Sequence, residues 1–335
     1  YEAYQEDESC SVVMNPYTGE VLALVSTPSY NGMDFVLGMS QEQWDSLNND
    51  PAQPMYNRVR ETWAPGSSFK PVTGAIGLTT GKLAADQDLG ASGLEWQKDS
   101  SWGSYQVTTL HTYSGAANLK NALIYSDNIY FAKAALQIGA DTFTEQLDKL
   151  GFNQDIPFDI GMTSSAYSNS ESIDSEMQLA DSGYGQGQML VNPLHLSCIY
   201  SAFFNEGNMI APYLEYQEGK ESSYWIENAF SAEAAQTLYD DMREVVSDPN
   251  GTGHGAAAVT GATLAGKTGT AEIKASQDDE TGTELGWFAV YNSDASAADT
   301  CLMLTMVEDV KGRGGSGYVV GKDVEIWNQM LGDLS

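Results

Sequence analysis

Strand-forming runs sit at the two ends of this chain and helix-forming ones fill the middle, so any sheet it builds must be assembled from both termini. Cys10 to Asn15 and Glu20 to Ser26 are apolar and rich in β-branched residues, and the turn Pro16-Tyr17-Thr18-Gly19 between them predicts a hairpin. Strand patterns return only at Thr263 to Thr270, Gly286 to Asn292 and Cys301 to Glu308, separated by turn-rich spacers that include the acidic loop Gln277 to Glu284. Antiparallel neighbours are the simplest way to connect them. A last amphipathic segment, Asp323 to Leu331, is suited to lie on the sheet.

Between these ends the periodicity is mostly helical. After a Pro/Gly/Asn-rich passage, in which Met39 to Asn48 can form a short helix opened by Ser40, Pro65-Gly66 breaks the chain. An apolar helical pattern then runs through Val72, Ile76 and Leu78 and puts Ser67 at a helix start. Asn118 to Tyr125 and Ile129 to Ile138 read as two helices, the second stopped by Gly139. Asp141 caps the next one, Asn192-Pro193 supplies an N-cap and first-turn proline for a helix running to Asn205, and Ser231 opens another that Asp248-Pro249-Asn250-Gly251 halts. The expected architecture is therefore α+β: an antiparallel five-stranded sheet flanked by helices, with an all-helical lobe inserted in it. The whole chain, 1–335, reads as one domain, its sheet lobe covering about 9–66 and 252–335 and its helical lobe about 67–251.

Forty-six acids against fifteen bases give a formal charge of -31, which repels nucleic acid and anionic membrane surfaces. Cys10, Cys198 and Cys301 are far apart, with apolar neighbours and no metal spacing, and read as buried thiols. The three histidines, His111, His195 and His254, form no ligand string, so neither a metal nor another cofactor is implied. No run of eighteen apolar residues exists, and the acidic start, Tyr1 to Glu8, is unlike a signal peptide. The first strand begins almost at once, as expected of a piece cut from a longer chain, although a small cytosolic protein could begin the same way.

Three short strings lie on these elements in a fixed order: Ser67-Ser68-Phe69-Lys70 at a helix start, Ser126-Asp127-Asn128 between two helices, and Lys267-Thr268-Gly269-Thr270 on a strand. Taken singly each has a plain reading: a helix cap, a surface lysine, a polar turn, a strand end. Taken together they describe a serine acyl-transfer site without histidine. A serine hydroxyl needs a base within reach and an electropositive place for the oxyanion. Lys70, one turn from Ser67, shares its face, and burial plus a second ammonium, Lys267, would lower its affinity for a proton enough to make it a base. Free N–H groups at the helix start can donate to the oxyanion. Ser126 and Asn128 project together only from a bend; the hydroxyl could pass a proton to a leaving amine and the carboxamide could orient Lys70 or substrate, while Asp127 points away in a structural role. Along the strand, alternation pairs Lys267 with Gly269 and Thr268 with Thr270, so a twist near Gly269 is needed for both sets to serve one cleft. Gly269 lets a substrate backbone approach closely.

These strings, with Pro65-Gly66, Gly183-Tyr184-Gly185-Gln186-Gly187 followed by Asn192-Pro193, and Gly286-Trp287-Phe288, resemble the transpeptidase domain of bacterial penicillin-binding proteins nearly from end to end. Leu24 to Tyr30, Gly38-Met39-Ser40, Trp96-Gln97-Lys98-Asp99 and Ala180 to Gly187 are similar to the low-affinity class B group that includes the methicillin-resistance protein PBP2a, although the third string has Thr268 where that group has serine. The resemblance implies a penicillin-binding protein and serine β-lactamase type of fold, with the site between its two lobes. It implies that Ser67 attacks the bond between the terminal D-alanines of a peptidoglycan stem peptide with Lys70 as base, and that Ser126 relays the proton. It also implies an oxyanion hole from the Ser67 and Thr270 N–H groups, a carboxylate held by Lys267, Thr268 and Thr270, and Tyr105 bordering the cleft. β-Lactams would acylate Ser67, and cell-wall synthesis proteins would be further partners. The family's N-terminal membrane anchor and accessory domains are missing from this sequence; in the cell the domain would face the outer side of the cytoplasmic membrane. Two other readings share the three strings. A class A β-lactamase adds a Glu-x-x-Leu-Asn string, which is not found after Ser126, and a β-lactam sensor domain would be acylated without turnover.

Overall fold

A computed structural model describes residues 1–170, 172–273 and 281–333 of the chain. Strands β1 (Ser9–Met14) and β2 (Val21–Thr27) form the expected hairpin. Helices α1 (Gly32–Leu37) and α2 (Gln41–Asn48) follow. Ser40 opens α2 through a reciprocal capping box with Gln43, which satisfies two helix-end donors at once. A 3₁₀ turn, Gly66–Phe69, runs straight into α3 (Lys70–Thr79). A ribbon of two-residue strands, β3 (Glu95–Trp96) and β4 (Val107–Thr108), precedes α4 (Leu119–Ile124), α5 (Asn128–Ile138), α6 (Ala140–Lys149), α7 (Glu176–Ser182) and α8 (Pro193–Ser201). A second short ribbon, β5 (Met209–Ile210) with β6 (Tyr224–Ile226), leads to α9 (Ala232–Ser247). The chain then makes β7 (Leu264–Ile273), β8 (Thr283–Asn292), β9 (Leu302–Val307) and α10 (Ser316–Asp333).

The five long strands form one antiparallel sheet in the order β2-β1-β9-β8-β7, so the first strand of the chain lies beside the last. The inner strands β8 and β9 are buried along nearly their whole length because both of their faces are covered, whereas the edge strand β2 is mostly part-exposed. Trp287, Tyr291, Leu304 and Met306 join the core shared with the helices of the middle region, while Phe288, Val290, Met303 and Val307 face the smaller core under α10.

Three expectations need correction. The middle region is not wholly helical, because β3–β4 and β5–β6 interrupt it. Helix α6 starts from Gly139, with Asp141 inside its first turn, where its charge meets the positive helix end without capping it. Helix α8 ends at Ser201, short of Asn205. Residues 277–280 of the acidic loop lie outside the described residues, and Thr283 and Glu284 already belong to β8.

Helix α10 is tied to the sheet through a fully buried acid. Asp323 accepts hydrogen bonds from Tyr4 Oη at 2.8 Å and Thr305 Oγ1 at 3.3 Å, and burial pushes its carboxyl up to about 8. The folded state therefore holds a proton that the unfolded chain releases near about pH 4, so stability falls as pH rises from there to about 8. Asp323→Asn mimics the protonated acid. Its melting temperature relative to the parent is expected to be higher at pH 8 than at pH 5; a constant difference between the two pH values would contradict this reading.

Candidate active site

The turn that carries Ser67 is built by close backbone approach. Gly66 has φ +52°, and a Cβ there would sit 2.3 Å from Thr270 O on β7. Gly269 is as tightly placed: a Cβ would lie 2.7 Å from Ser68 N and 2.9 Å from Pro65 O. With no side chain at either position, β7 lies directly against the 3₁₀ turn. Gly66 N–H donates to Gly185 O at 2.8 Å, Ser68 Oγ to Pro65 O at 2.8 Å, and Tyr200 Oη to Ser68 O at 2.6 Å. Side chains three apart eclipse in a 3₁₀ turn, so Ser67 and Lys70 emerge on one side, Ser67 half-buried and Lys70 fully buried.

Lys70 Nζ lies 2.5 Å from Ser126 O, 3.0 Å from Ser126 Oγ and 2.7 Å from Asn128 Oδ1. Lys267 Nζ reaches the same Ser126 Oγ at 3.0 Å and Thr268 O at 2.9 Å. Burial and then the nearby Lys267 hold Lys70 well below the ordinary lysine range, against an opposing pull from Asp127. Burial brings Lys267 down to about 7. Both amines thus give up a proton more readily than a solvated lysine does, and Lys267 titrates near neutral pH.

Ser126 has a left-handed backbone, φ +54°, which turns both its carbonyl and its hydroxyl toward Lys70. Asp127 caps α5, its Oδ1 accepting from Ile129 N and Tyr130 N, as its structural assignment from sequence implied. Asn128 Nδ2 donates to Thr108 O of β4 at 2.8 Å while its Oδ1 holds Lys70.

The structure therefore gathers Lys70, Ser126, Asn128 and Lys267 around one hydroxyl, beside the turn of Ser67. Among the described residues Lys70 Nζ bonds to Ser126 and Asn128 and not to Ser67 Oγ. Gly269 faces the serine turn together with Lys267. The hydroxyls of Thr268 and Thr270 take the alternate side, Thr268 Oγ1 lying 2.6 Å from Thr252 Oγ1 and Thr270 Oγ1 accepting from Ser316 N at 3.3 Å. Among the described residues Tyr105 is linked to the site through neighbours: its hydroxyl donates to Asp181, and Thr108, three residues on, holds Asn128. His195 is elsewhere, bonded to Ser165 Oγ and Leu150 O and kept neutral by burial, which lowers it to about 4. The three cysteines are free and buried. Among the described residues there is no group of three or more His, Cys, Asp or Glu able to hold a metal ion, and no helix long and apolar enough to cross a membrane.

Several participants left no separable mark in the sequence. Asp181 accepts the hydroxyls of both Tyr105 and Tyr184, Thr252 meets Thr268, and Tyr113 Oη donates to Asp127 Oδ2 at 2.9 Å. In the glycine-rich string 183–187 two positions lie against backbone: a Cβ at Gly183 would sit 2.4 Å from Phe131 O and one at Gly185 2.2 Å from Gly66 O.

Residues 9–326 match the family profile described as penicillin binding protein transpeptidase domain. The chain belongs to this family. It is 43% identical over 322 residues to penicillin-binding protein 3 of Bacillus subtilis, covering 96% of this chain and 48% of that protein. It is 31% identical over 283 residues to the peptidoglycan D,D-transpeptidase MrdA of Acinetobacter baumannii, covering 78% of this chain and 41% of the relative. The transpeptidase domain thus spans about half the length of the curated relatives it matches. Among solved structures, its fold matches PBP2 of Helicobacter pylori, determined in complex with MreC, with a TM-score of 0.85 at 22% identity over 100% of this chain and 62% of that one. A ceftriaxone acyl-enzyme complex of penicillin-binding protein A from M. tuberculosis matches with a TM-score of 0.78 at 23% identity, covering 98% of this chain and 76% of the other.

The backbone contact between β7 and the serine turn makes Gly66 intolerant of any side chain. Gly66→Ala is expected to cost about 2–4 kcal/mol, the sum of overlap with a rigid carbonyl and a left-handed backbone. Urea unfolding of the variant measures this; a loss below about 0.5 kcal/mol would show that the turn and strand can separate freely.

Proposed function

We propose that this chain is the catalytic domain of a peptidoglycan D,D-transpeptidase that works through an acyl-enzyme on Ser67 and is blocked covalently by β-lactams. The observation that carries the reading is the convergence of two buried lysine nitrogens, each 3.0 Å from Ser126 Oγ, beside the turn that bears Ser67. The names of the relatives agree with it.

Neutral Lys70 takes the proton of Ser67 Oγ as the oxygen adds to the carbonyl carbon between the two terminal D-alanines of a stem peptide. The oxyanion accepts hydrogen bonds from the N–H groups of Ser67 and Thr270; the former sits in the first turn of a helix, where intrahelical acceptors are missing. Ser126 Oγ gives its proton to the departing amine and is reprotonated by the ammonium of Lys70, so the C–N bond breaks and D-alanine leaves. An amine from a neighbouring stem then attacks the ester, forms the cross-link and returns the proton to Ser67. Lys267 in its charged form, with the hydroxyls of Thr268 and Thr270, holds the terminal carboxylate; Gly269 lets the peptide approach, and Tyr105 borders the cleft.

In this reading the sheet residues, about 9–66 and 252–335, and the helical region, about 67–251, act as two lobes with the site between them. The domain works on the outer face of the cytoplasmic membrane. Its partners are stem peptides, β-lactams and other cell-wall synthesis proteins, in line with the MreC complex of the Helicobacter pylori relative. Within the family, residues 24–30, 38–40, 96–99 and 180–187 support a likeness to the class B group that includes PBP2a.

Incubation with a penicillin and intact-mass measurement is expected to show a single adduct that persists for minutes or longer and is absent from Ser67→Ala. Adduct on the alanine variant would sink the proposal, and release within seconds would favour a β-lactamase.

Acylation is expected to rise with pH as Lys70 loses its proton and to fall above about 7 as Lys267 loses the charge that holds the carboxylate. Lys267→Arg keeps that charge at every accessible pH. The falling limb should then vanish while the rising limb remains; a falling limb unchanged in the arginine variant would assign it to another group.

A further inference from the structure

Ser126 holds a backbone conformation that non-glycine residues adopt at a cost of about 1–3 kcal/mol, so something must hold it there. We propose that Tyr113 is a positioning residue of this site, which keeps Ser126 in its left-handed conformation by gripping the residue on either side of it. The ring of Tyr113 stacks on Tyr125 with centroids 4.5 Å apart and planes 6° from parallel. Its hydroxyl donates to Asp127 Oδ2 at 2.9 Å. One side chain thus spans the positions before and after Ser126. Five residues earlier, Thr108 O accepts from Asn128 Nδ2, so the segment from β4 to Tyr113 fastens the bend at three points.

The Asp127 contact is more than helix capping. Oδ1 alone accepts both capping N–H groups, of Ile129 and Tyr130, which leaves Oδ2 to be supplied from outside α5. Tyr113 supplies it, and burial together with the Asp127 charge keeps the phenol protonated, hence a donor, far into the alkaline range. The arrangement is also electrostatic. Asp127 is a carboxylate that acts on Lys70, and a donor on Oδ2 disperses part of its charge. The other titratable groups that reach this cluster are Lys267 from β7, Tyr130 and Lys133 from α5, Asp88 from the loop after α3 and, through Tyr130, Asp241 from α9.

The inference rests on the acyl-enzyme reading above and is tested on the same chain with benzylpenicillin as probe. Acylation rates are followed by intact mass between about pH 5 and pH 9, with melting temperatures as the measure of folding. Tyr113→Phe keeps the stacked ring and removes the hydroxyl. It is expected to slow acylation roughly threefold to tenfold and to move the rising limb up by roughly 0.3–1 pH unit, because undispersed negative charge favours the ammonium of Lys70, with the melting temperature within about 2 °C of the parent. Tyr113→Leu removes both grips and should slow acylation roughly 10- to 100-fold. Parent-like rates and an unmoved limb in Tyr113→Phe would overturn the proposal. So would losses in both variants that follow melting temperature alone with the limb in place. Failure of the parent itself to acylate would instead overturn the acyl-enzyme reading.

Discussion

Two buried nitrogens compete for one hydroxyl oxygen, and the rest of the molecule is arranged around that conflict. Two full charges that both touch Ser126 Oγ, out of water, would repel strongly at the low effective dielectric of the interior. Burial and then the charge of Lys267 draw Lys70 well below the ordinary lysine range, and burial brings Lys267 down to about 7, so the doubly charged pair is disfavoured near neutral pH. Neither shift depends on a histidine or a metal. Both follow from burial at 0% exposure in a site where hydroxyls, carbonyls and a carboxamide replace water as partners.

Such a cluster persists only where its surroundings over-determine it. β7 meets the serine turn backbone to backbone through Gly66 and Gly269, so Lys267 cannot retreat from Ser126 without moving a five-stranded sheet. From the other side, α5 begins at Asn128 under the cap of Asp127, so the bend between α4 and α5 has little freedom of its own. Strain at Ser126 and the desolvation of two lysines are costs met by the apolar core that joins the sheet to the helices.

Much of this was legible in the residues because the relevant chemistry is local. Ser40 with Gln43, Asn192 with Pro193, and Ser231 mark helix starts within four residues, and the β1–β2 hairpin follows from its own turn. Ser67 and Lys70, or Ser126 and Asn128, are likewise separated by a single turn or bend. The misses have two physical sources. Two-residue strands such as β3 and β5 have no alternation to detect, and Gly139 precedes α6 without a side chain to announce a cap. Contacts such as Thr252 with Thr268 or Tyr105 with Asp181 join residues sixteen and seventy-six positions apart, and no period relates them. The alternation along β7 was readable, yet the side on which Thr268 and Thr270 find their partners emerged only once the loop at Thr252 and the start of α10 were in place.

The placement of β1 beside β9 has a temporal meaning for a chain made from one end to the other. Ser67, Lys70 and Ser126 are all synthesised by residue 128, but their counterpart Lys267 lies on a strand whose neighbours β8 and β9 are not complete until residue 307. Until then β1 lacks its second neighbour and the middle helices have no sheet to close against. A partly emerged chain therefore carries Ser67 without the Lys267 side of its surroundings. The two-lysine cluster arrives as a late, all-at-once property of the finished fold, tied to long-range pairing of the kind that also slows folding.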